Sequence, residues 1–476
     1  MNNKTSQTTA SSATSTNGQL FKELPLSPGL LTTLQQLEYH TMTPIQAASL
    51  PITLAGHDLI AQAKTGSGKT AAFALALLTN LNPRRFAVQA MVLCPTRELA
   101  DQVTQELRRL ARSTDNIKIL TLCGGSTMRP QVSSLAHGAH IVVGTPGRIM
   151  DHLQRNTLNL EALNTLVFDE ADRMLDMGFY DDIAFVVRHC PVERQTLLFS
   201  ATYPKSISGL ARQFLHNPRE VKLLEQHEEH KIRQRFYEIE DTSRLHIVAL
   251  LLKHYRPAST LAFCNTKQQC RDLLVVLQAE GINALTLNGD LEQRERDQVL
   301  IQFANRSCSV LVATDVAARG LDITQLEAVI NVDVTADPEI YIHRIGRTGR
   351  ADDNGWALSL CSLHEMPRVV EITKMIGSEP EWLDVATLQI NNNTPLTSPM
   401  VTLQILGGRK EKIRPGDVLG ALTGEAGFTR KQVGKITVTD QSTYVAVARD
   451  IAREAVRKLS AGKVKGKTVK IRALYD

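Results

Sequence analysis

The chain has 476 residues, of which 43% are hydrophobic and 22% are charged, and this length predicts about two to four domains with ordinary cores. It has no run of about 18 apolar residues, so we predict no transmembrane helix and no membrane partner. Its seven cysteines are scattered without a C-x-x-C pair, which favours reduced thiols in a cytoplasmic protein over a zinc site or a disulfide framework.

The net charge of +5 is unevenly distributed along the chain. Residues 401–476 carry 16 Lys and Arg against 7 Asp and Glu, a net charge of +9, which leaves −4 for the first 400 residues. A basic module on a mildly acidic body favours binding of a polyanion, most simply a nucleic acid. A solvated lysine-rich face is the alternative interpretation.

Residues 1–17 are rich in Ser, Thr and Asn and lack an apolar core. We therefore predict a disordered tail rather than a secretory signal. Farther along, Pro44 suits the first turn of a helix, with Thr43 as its cap. Gln46 in this helix could recognise an adenine edge, because its amide both donates and accepts hydrogen bonds. An ordinary surface Gln is the alternative.

A phosphate loop is predicted next, with Ala63 at the usual first Gly. Its small residues allow backbone N–H groups to surround phosphates, while Lys69 reaches the outer phosphates and the Thr70 hydroxyl can hold Mg²⁺. The Ala- and Leu-rich run that follows predicts a helix whose N-terminus favours anions. A Gly-rich turn before a helix is the alternative. The full segment is Ala63-Lys64-Thr65-Gly66-Ser67-Gly68-Lys69-Thr70.

Apolar strands then alternate with helical stretches, which predicts a doubly wound parallel sheet that binds ligands at the carboxyl ends of its strands. Asp169 ends one of these strands, as in a Mg²⁺-binding Walker B element, and Glu170 can orient or deprotonate an attacking water. The hydroxyls of Ser200 and Thr202 end another strand and could bond to the site when its state changes. The predicted strands are 58–62, 90–94, 117–122, 140–144, 165–169 and 196–202.

A second α/β pattern follows a polar, charged linker predicted at 224–232. This region lacks a phosphate loop, but Arg347 and Arg350 lie three apart with a glycine between them. Such arginines can point at an anion and act as fingers on a γ-phosphate. A basic surface patch is the alternative. The predicted strands are 259–264, 284–287, 309–313 and 328–332.

A second linker is predicted at 391–399, and the remaining segment has the order β-α-β-β-α-β of a ferredoxin-like, RRM-like domain. Of the stacking aromatics typical of RNA-recognition modules, only Tyr444 is in place. We therefore predict RNA binding mainly through a basic loop and nearby lysines. These residues are Arg409, Lys410, Lys412 and Arg414, with Lys431, Lys435 and the lysines of 463–470.

With these residues in view, residues 20–385 resemble a DEAD-box RNA helicase. The likeness rests on many short motifs in one order, beginning with Phe21 and the box Asp169-Glu170-Ala171-Asp172. The other motifs are Thr43–Gln46, the phosphate loop, Pro95–Ala100, Gly124-Gly125, Thr145–Arg148, Ser200–Thr202, Ala313–Asp322 and His343–Arg350.

The resemblance implies two RecA-like domains, residues 18–223 and 233–390, that close over ATP and single-stranded RNA with Mg²⁺ as cofactor. For the nucleotide it implies that Phe21 and Gln46 select adenine, and that Lys69, Thr70 and Asp169 bind the phosphates and Mg²⁺. It implies that Glu170 activates the attacking water. From the second domain, Arg347 and Arg350 would act as arginine fingers, and Gly320 and Asp322 would contact the nucleotide. For RNA it implies backbone contacts by Arg97, Gly125, Thr145, Arg148, Gly289 and Thr314, and coupling by Ser200, Thr202 and His343. Backbone contacts do not read sequence, so the core should bind RNA non-specifically.

Two positions depart from the family pattern. Glu38 stands near a common Gly, and Asn288 stands at a common His; neither is expected to touch the chemistry. Residues 400–476 resemble the tail of a bacterial member of the family, through 407–414 and 444–452. That likeness implies anchoring on a hairpin of large-subunit ribosomal RNA, ribosomal precursor particles as partners and a role in ribosome assembly. We expect the protein to act as a monomer.

Three alternatives remain at this point. The enzyme could be a DNA helicase of the same superfamily, although no motif favours DNA. It could be a static RNA clamp that no longer turns over, against which the intact Lys69, Asp169, Glu170, Arg347 and Arg350 argue. The tail could instead be a protein-interaction module.

Overall fold

The computed structural model describes residues 18–63, 66–114, 116–202, 205–223, 232–318, 326–349, 355–390 and 396–474. The predicted disordered tail, residues 1–17, lies outside these ranges, as do most of the two predicted linkers. The chain divides into two compact units, residues 1–226 and 227–476. No described helix has an apolar stretch that could span a lipid bilayer.

The first unit is built on a parallel sheet whose described strands follow the order β3-β4-β2-β5-β6-β1-β7. The central strands are fully buried because helices cover both faces, which explains their continuously apolar sequences. The strands are β1 (Leu59–Gln62), β2 (Ala90–Leu93), β3 (Ile119–Leu122), β4 (Ile141–Gly144), β5 (Thr165–Asp169), β6 (Gln195–Ser200) and β7 (Arg219–Lys222). The helices are α1 (Pro28–Gln36), α2 (Pro44–Leu54), α3 (Lys69–Thr79), α4 (Arg97–Leu110), α5 (Met128–Ala136), α6 (Pro146–Gln154), α7 (Ala171–Asp176), α8 (Tyr180–Arg188) and α9 (Lys205–Phe214).

The second unit begins with another parallel sheet, in the order β10-β11-β9-β12-β13-β8-β14. Strand for strand this order repeats that of the first sheet, so the two predicted RecA-like sheets are confirmed. The strands are β8 (Ile232–Glu238), β9 (Thr260–Cys264), β10 (Ala284–Leu287), β11 (Val310–Thr314), β12 (Ala328–Asn331), β13 (Gly355–Cys361) and β14 (Glu381–Leu383). The helices are α10 (Arg244–Tyr255), α11 (Lys267–Ala279), α12 (Gln293–Ala304), α13 (Asp315–Ala318), α14 (Pro338–Ile345) and α15 (Met366–Ile376).

The same unit ends in a four-stranded antiparallel sheet of order β16-β17-β15-β18, with both helices packed on one face. This confirms the predicted ferredoxin-like order. Its elements are β15 (Met400–Ile405), α16 (Pro415–Gly420) continued by a π-helical turn (Ala421–Glu425), β16 (Val433–Val438), β17 (Thr443–Ala448), α17 (Ala452–Ala461) and β18 (Ile471–Leu474).

The other face of this small sheet is not open to solvent at its centre. Thr402 is fully buried, and its hydroxyl lies 2.6 Å from Ser307 Oγ and accepts from Asn305 Nδ2 at 3.1 Å. Asn305 and Ser307 belong to the turn between α12 and β11, so this face packs against the second RecA-like domain. Leu396, before β15, also pairs in parallel with Ile282, before β10.

Candidate active site

The phosphate loop joins β1 to α3 through two glycines with positive φ, 82° at Gly66 and 94° at Gly68. Its first residue is fixed to the neighbouring strand, because Ala63 N donates to Ser200 O at 3.0 Å. Lys69 is 6% exposed, and its Nζ donates to Ala63 O at 2.6 Å across the loop. Lys64 and Thr65 lie outside the described residues. Lys69 thus stands at the start of α3, where phosphates would meet both its charge and the helix N-terminus.

Gln46 joins the start of α2 to this loop. Its Oε1 accepts from Thr43 N at 2.9 Å, and its Nε2 donates to Gly68 O at 3.1 Å. The approach is close, since a Cβ added at Gly68 would lie 2.5 Å from Gln46 Nε2. Phe21 is 3% exposed, in a segment bound to the same helix start through a hydrogen bond from Met42 N to Gln19 O. Gln46 is therefore a buried support of the loop, and adenine recognition by Phe21 and Gln46 stays a prediction.

The box residues form a buried acidic cluster at the end of β5. Asp169, Glu170 and Asp172 are all 5% exposed or less. Burial and the Glu170 carboxylate raise the pKa of Asp169 to about 7, although Lys69 opposes the shift. Burial likewise lowers the pKa of Lys69, and the three carboxylates oppose that shift. A buried carboxylate with a raised pKa beside a buried lysine is typical of a functional site.

Glu170 has a left-handed conformation, with φ 53° and ψ 52°. Its Oε2 accepts from Arg173 Nη1 at 2.9 Å, and both side chains are buried. The ion pair fixes one carboxylate oxygen of Glu170, and water activation by this residue stays a prediction.

Asp172 connects this cluster to the end of β6. Its Oδ2 accepts from Ala201 N at 3.3 Å, from Thr202 N at 3.0 Å and from Thr202 Oγ1 at 3.0 Å. Sequence reasoning placed Thr202 in a coupling role but gave none to Asp172. Ser200 Oγ is buried with no hydrogen-bond partner among the residues described here, so it can still form a bond if the site rearranges.

The predicted RNA contacts of the first unit follow β2, β3 and β4, which are neighbours in the sheet. Arg97 opens α4 after β2, Gly125 follows β3 with φ 72°, and Thr145 caps α6 after β4. Arg148 donates from Nη2 to Ser126 O at 3.1 Å, which joins the first turn of α6 to the loop after β3. These four residues therefore lie along one half of the carboxyl edge, and RNA binding by them stays a prediction.

In the second unit, Thr314 ends β11, His343 lies on α14, and Arg347 follows α14. Gly289 is exposed beside Lys267, whereas Arg347 is 5% exposed. Three predicted residues, Gly320, Asp322 and Arg350, lie outside the described residues.

Sequence reasoning missed Arg344 in this region. This side chain is 1% exposed, and its Nε and Nη2 donate to the two carboxylate oxygens of Asp315, each at 2.7 Å. The pair holds α14 against the end of β11. The only signal in the sequence was its position inside the arginine-rich segment.

The two positions that depart from the family pattern have local explanations. Glu38 has φ 62°, a conformation that glycine adopts at no cost. Asn288 is buried, and its Oδ1 accepts from Asp290 N at 3.0 Å, which closes the turn after β10.

Basic residues of two loops of the tail lie where these loops and the β16–β17 turn meet, at one end of the small sheet, whereas Lys431 and Lys435 lie toward the opposite end, where β16 begins. Arg409 N donates to Thr439 O at 2.9 Å, and Lys465 Nζ donates to Lys412 O. The loop 407–414 therefore contacts both the β16–β17 turn and the loop 463–470. Lys410 and Arg414 lie on the same loop.

Tyr444, in contrast, is 4% exposed on the face that packs against the second RecA-like domain. Its hydroxyl accepts from Gln404 Nε2 at 3.2 Å, and Gln404 in turn accepts from Arg472 Nε at 2.7 Å. This burial argues against base stacking on Tyr444, and the RNA-binding role assigned to it stays a prediction.

Three family models match consecutive parts of the chain. A DEAD/DEAH box helicase model matches residues 43–210, a helicase conserved C-terminal domain model matches 242–352, and a DbpA RNA binding domain model matches 402–473. The matches therefore cover both parallel-sheet domains and the tail.

Curated relatives and solved structures agree with these models. ATP-dependent RNA helicase DbpA of Escherichia coli is 51% identical over 450 residues, which cover 94% of this chain and 98% of the relative. DEAD-box ATP-dependent RNA helicase CshA of Geobacillus kaustophilus is 41% identical over 77% of this chain and 79% of its own. The structure of S. cerevisiae Dbp5 bound to RNA and ADP BeF3 is similar with a TM-score of 0.71 and 32% identity, covering 77% of this chain and 96% of that chain.

Proposed function

The chain belongs to the DEAD-box family of ATP-dependent RNA helicases, and from this premise we propose that it unwinds short RNA duplexes locally by ATP-driven closure of its two RecA-like domains. The observation that carries the proposal is the buried cluster in which the phosphate-loop Lys69 meets Asp169, Glu170 and Asp172. Asp172 links this cluster directly to Thr202, so a change at the nucleotide can alter contacts at the end of a neighbouring strand.

We propose that ATP is bound through its phosphates by the loop and Lys69, with Phe21 and Gln46 at the adenine. The residues around the loop suit a divalent cation, because the buried acidic groups outnumber the buried basic ones. In the described part of the site there are three carboxyl groups and two basic side chains, Lys69 and Arg173. Thr70 and Asp169 would hold Mg²⁺, which when bound supplies positive charge at the phosphate oxygens. Glu170, with one oxygen fixed by Arg173, would orient the attacking water and accept its proton.

The second RecA-like domain would complete the site on closure. Arg347 and Arg350 would stabilise charge on the transferred phosphate, and Gly320 and Asp322 would contact the nucleotide. RNA would be held through its backbone by Arg97, Gly125, Thr145, Arg148, Gly289 and Thr314, with Ser200, Thr202 and His343 coupling hydrolysis to strand separation. The solved structure of the relative Dbp5, bound to RNA and ADP BeF3, supports joint binding of RNA and nucleotide.

The C-terminal domain would target the enzyme to large-subunit ribosomal RNA and so to ribosomal precursor particles, in the cytoplasm and as a monomer. Its match to a DbpA RNA binding domain supports RNA as the ligand. The burial of Tyr444 and the meeting of the basic loops at one end favour binding through Arg409, Lys410, Lys412 and Arg414 rather than through the sheet.

The test is steady-state ATP hydrolysis by the full chain, with purified ribosomal RNA against an equal mass of unrelated structured RNA at one fixed salt concentration. We expect strong preference for ribosomal RNA and loss of activity in Glu170→Gln. Equal stimulation by both RNAs would keep the helicase core and contradict targeting by the tail. If DNA in place of RNA stimulated hydrolysis in the same assay and neither RNA did, the DNA helicase alternative would be favoured. A Glu170→Gln variant that binds RNA and hydrolyses ATP as fast as the wild type would contradict the mechanism.

A further inference from the structure

Helix α5 is held in place mainly by polar contacts. None of its nine residues, all described, is buried, so it contributes little to the hydrophobic core of the first unit. Leu135 packs at the edge of the core, and Lys118 Nζ donates to Ser134 O at 2.8 Å. The other hydrogen bonds from the described side chains of α5 to the rest of the unit converge on Gln131. The amide of Gln131 therefore supplies most of the hydrogen bonds between this helix and the residues beside it.

Gln131 uses both ends of its amide. Its Nε2 donates to Cys123 O at 3.0 Å and to Ser126 Oγ at 2.8 Å, on the two sides of the Gly124-Gly125 turn. Its Oε1 accepts from Arg148 Nη1 at 3.1 Å. Because a guanidinium can only donate and a carbonyl can only accept, these partners fix the orientation of the amide.

A buried histidine supports the same oxygen. His152 Nε2 lies 2.9 Å from Gln131 Oε1, and its Nδ1 lies 2.8 Å from Thr157 Oγ1. Since Oε1 has no hydrogen to give, Nε2 must carry the ring proton and donate it. His152 is fully buried on α6, so Gln131 is tied to the body of the domain as well as to both loops.

We infer that Gln131 is a positioning residue for RNA binding, which presents the Gly125 turn and the Arg148 guanidinium as one preformed surface for an RNA backbone. This inference rests on the proposed function, which assigns RNA contacts to Gly125 and Arg148. Without Gln131 the direct bond from Arg148 Nη2 to Ser126 O would remain, but both elements would lose the amide that braces them. RNA would then have to order them on binding, which costs affinity.

The inference predicts a specific pattern in the variant Gln131→Met, which keeps the length of the side chain and removes all four hydrogen bonds. The dissociation constant of a fluorescent single-stranded RNA, measured by anisotropy with ADP and beryllium fluoride, should rise about fivefold to tenfold, as expected for loss of about one net hydrogen bond. The KM for ATP at saturating ribosomal RNA should stay within about twofold, because the phosphate loop lies across the sheet. Ser133→Ala, an exposed position on the same helix, is the matched control and should bind RNA as the wild type does.

A double-variant comparison tests whether Gln131 acts through Arg148. Arg148→Met alone should weaken RNA binding, and adding Gln131→Met should weaken it further by clearly less than the single Gln131 change does. Full additivity would overturn the inference, as would unchanged RNA affinity in Gln131→Met or a parallel loss of RNA affinity and ATP affinity. Failure of the wild type to bind the single strand at all would instead contradict the proposed function.

Discussion

Replacing Asp169 by Asn should stabilise the metal-free and nucleotide-free protein at alkaline pH while abolishing ATP hydrolysis. The reason is the cost of ionising a buried carboxylate, which raises the pKa of Asp169 from 3.8 to about 7. Between these two values the folded protein holds a proton that the unfolded chain has released. The stability of the wild type therefore falls as the pH rises through this window and levels off above it. Asn carries no charge, so its variant lacks this dependence.

The size of the effect follows from the shift. A change of about three pKa units corresponds to about 4 kcal/mol at pH 8, of which about 3 kcal/mol develops between pH 5 and pH 8. The substitution also deprives the buried Lys69 of one carboxylate, which we expect to cost about 1–2 kcal/mol. A net gain of about 2–3 kcal/mol at pH 8 would raise the melting temperature of a domain of this size by about 4–10 °C.

The assay is calorimetric melting of the full chain in EDTA at pH 5.5 and pH 8, with the transition of the first unit identified in the wild type by its shift on adding ADP. Asp181→Asn, at an exposed position on α8 of the same unit, is the control and should melt like the wild type at both pH values. A variant whose advantage is the same at pH 5.5 as at pH 8 would refute the reasoning, because the gain would then not come from ionisation.

Three further substitutions should give distinct results. Gly68→Ala should abolish ATP binding in isothermal titration, because the new Cβ would stand 2.5 Å from Gln46 Nε2 at a φ of 94°; measurable binding would contradict this. Thr202→Val removes one hydrogen bond to the buried Asp172, so the amount of duplex unwound per ATP hydrolysed should fall about tenfold with little change in the ATPase rate. An unchanged ratio would count against coupling through this bond. Replacing the four lysines of 463–470 by Gln should make the slope of log association constant against log salt concentration for ribosomal RNA less steep. The slope should change by about 0.7–0.9 for each phosphate that is no longer neutralised. An unchanged slope would mean that the RNA binds elsewhere.

The fold could be predicted largely from the sequence because its signals are local. A parallel sheet covered on both faces needs strands that are apolar throughout, and 90–94 and 165–169 have that composition. Two glycines before Lys69 supply the positive φ that the phosphate loop requires. The tail was predictable for the same reason, since its strands and helices alternate in a short span.

The parts that could not be predicted are contacts between distant side chains. Nothing near Asp172 in the sequence indicates that its carboxylate accepts three hydrogen bonds from residues about 30 positions later. Gln131 and Arg344 likewise have no local sequence signal that sets them apart. Their contacts arise because the strand order brings residues from several loops and helices next to them. The burial of Tyr444 depends on how the small sheet packs against Asn305 and Ser307, which no local pattern encodes.

The order of the first sheet also places the predicted RNA contacts and the nucleotide site on different halves of one sheet edge. The chain crosses from β1 over the positions later filled by β6 and β5 before it forms β2. The loops after β2, β3 and β4, which carry the predicted RNA contacts, therefore fill one half of the carboxyl edge, and those after β5, β6 and β1 fill the other half with the phosphate loop and the acidic cluster. Gln131 lies wholly within the first half and Gly68 within the second. Substitutions at these two positions should consequently separate RNA affinity from ATP affinity, whereas Asp172, in the nucleotide half, should affect the ratio between hydrolysis and unwinding.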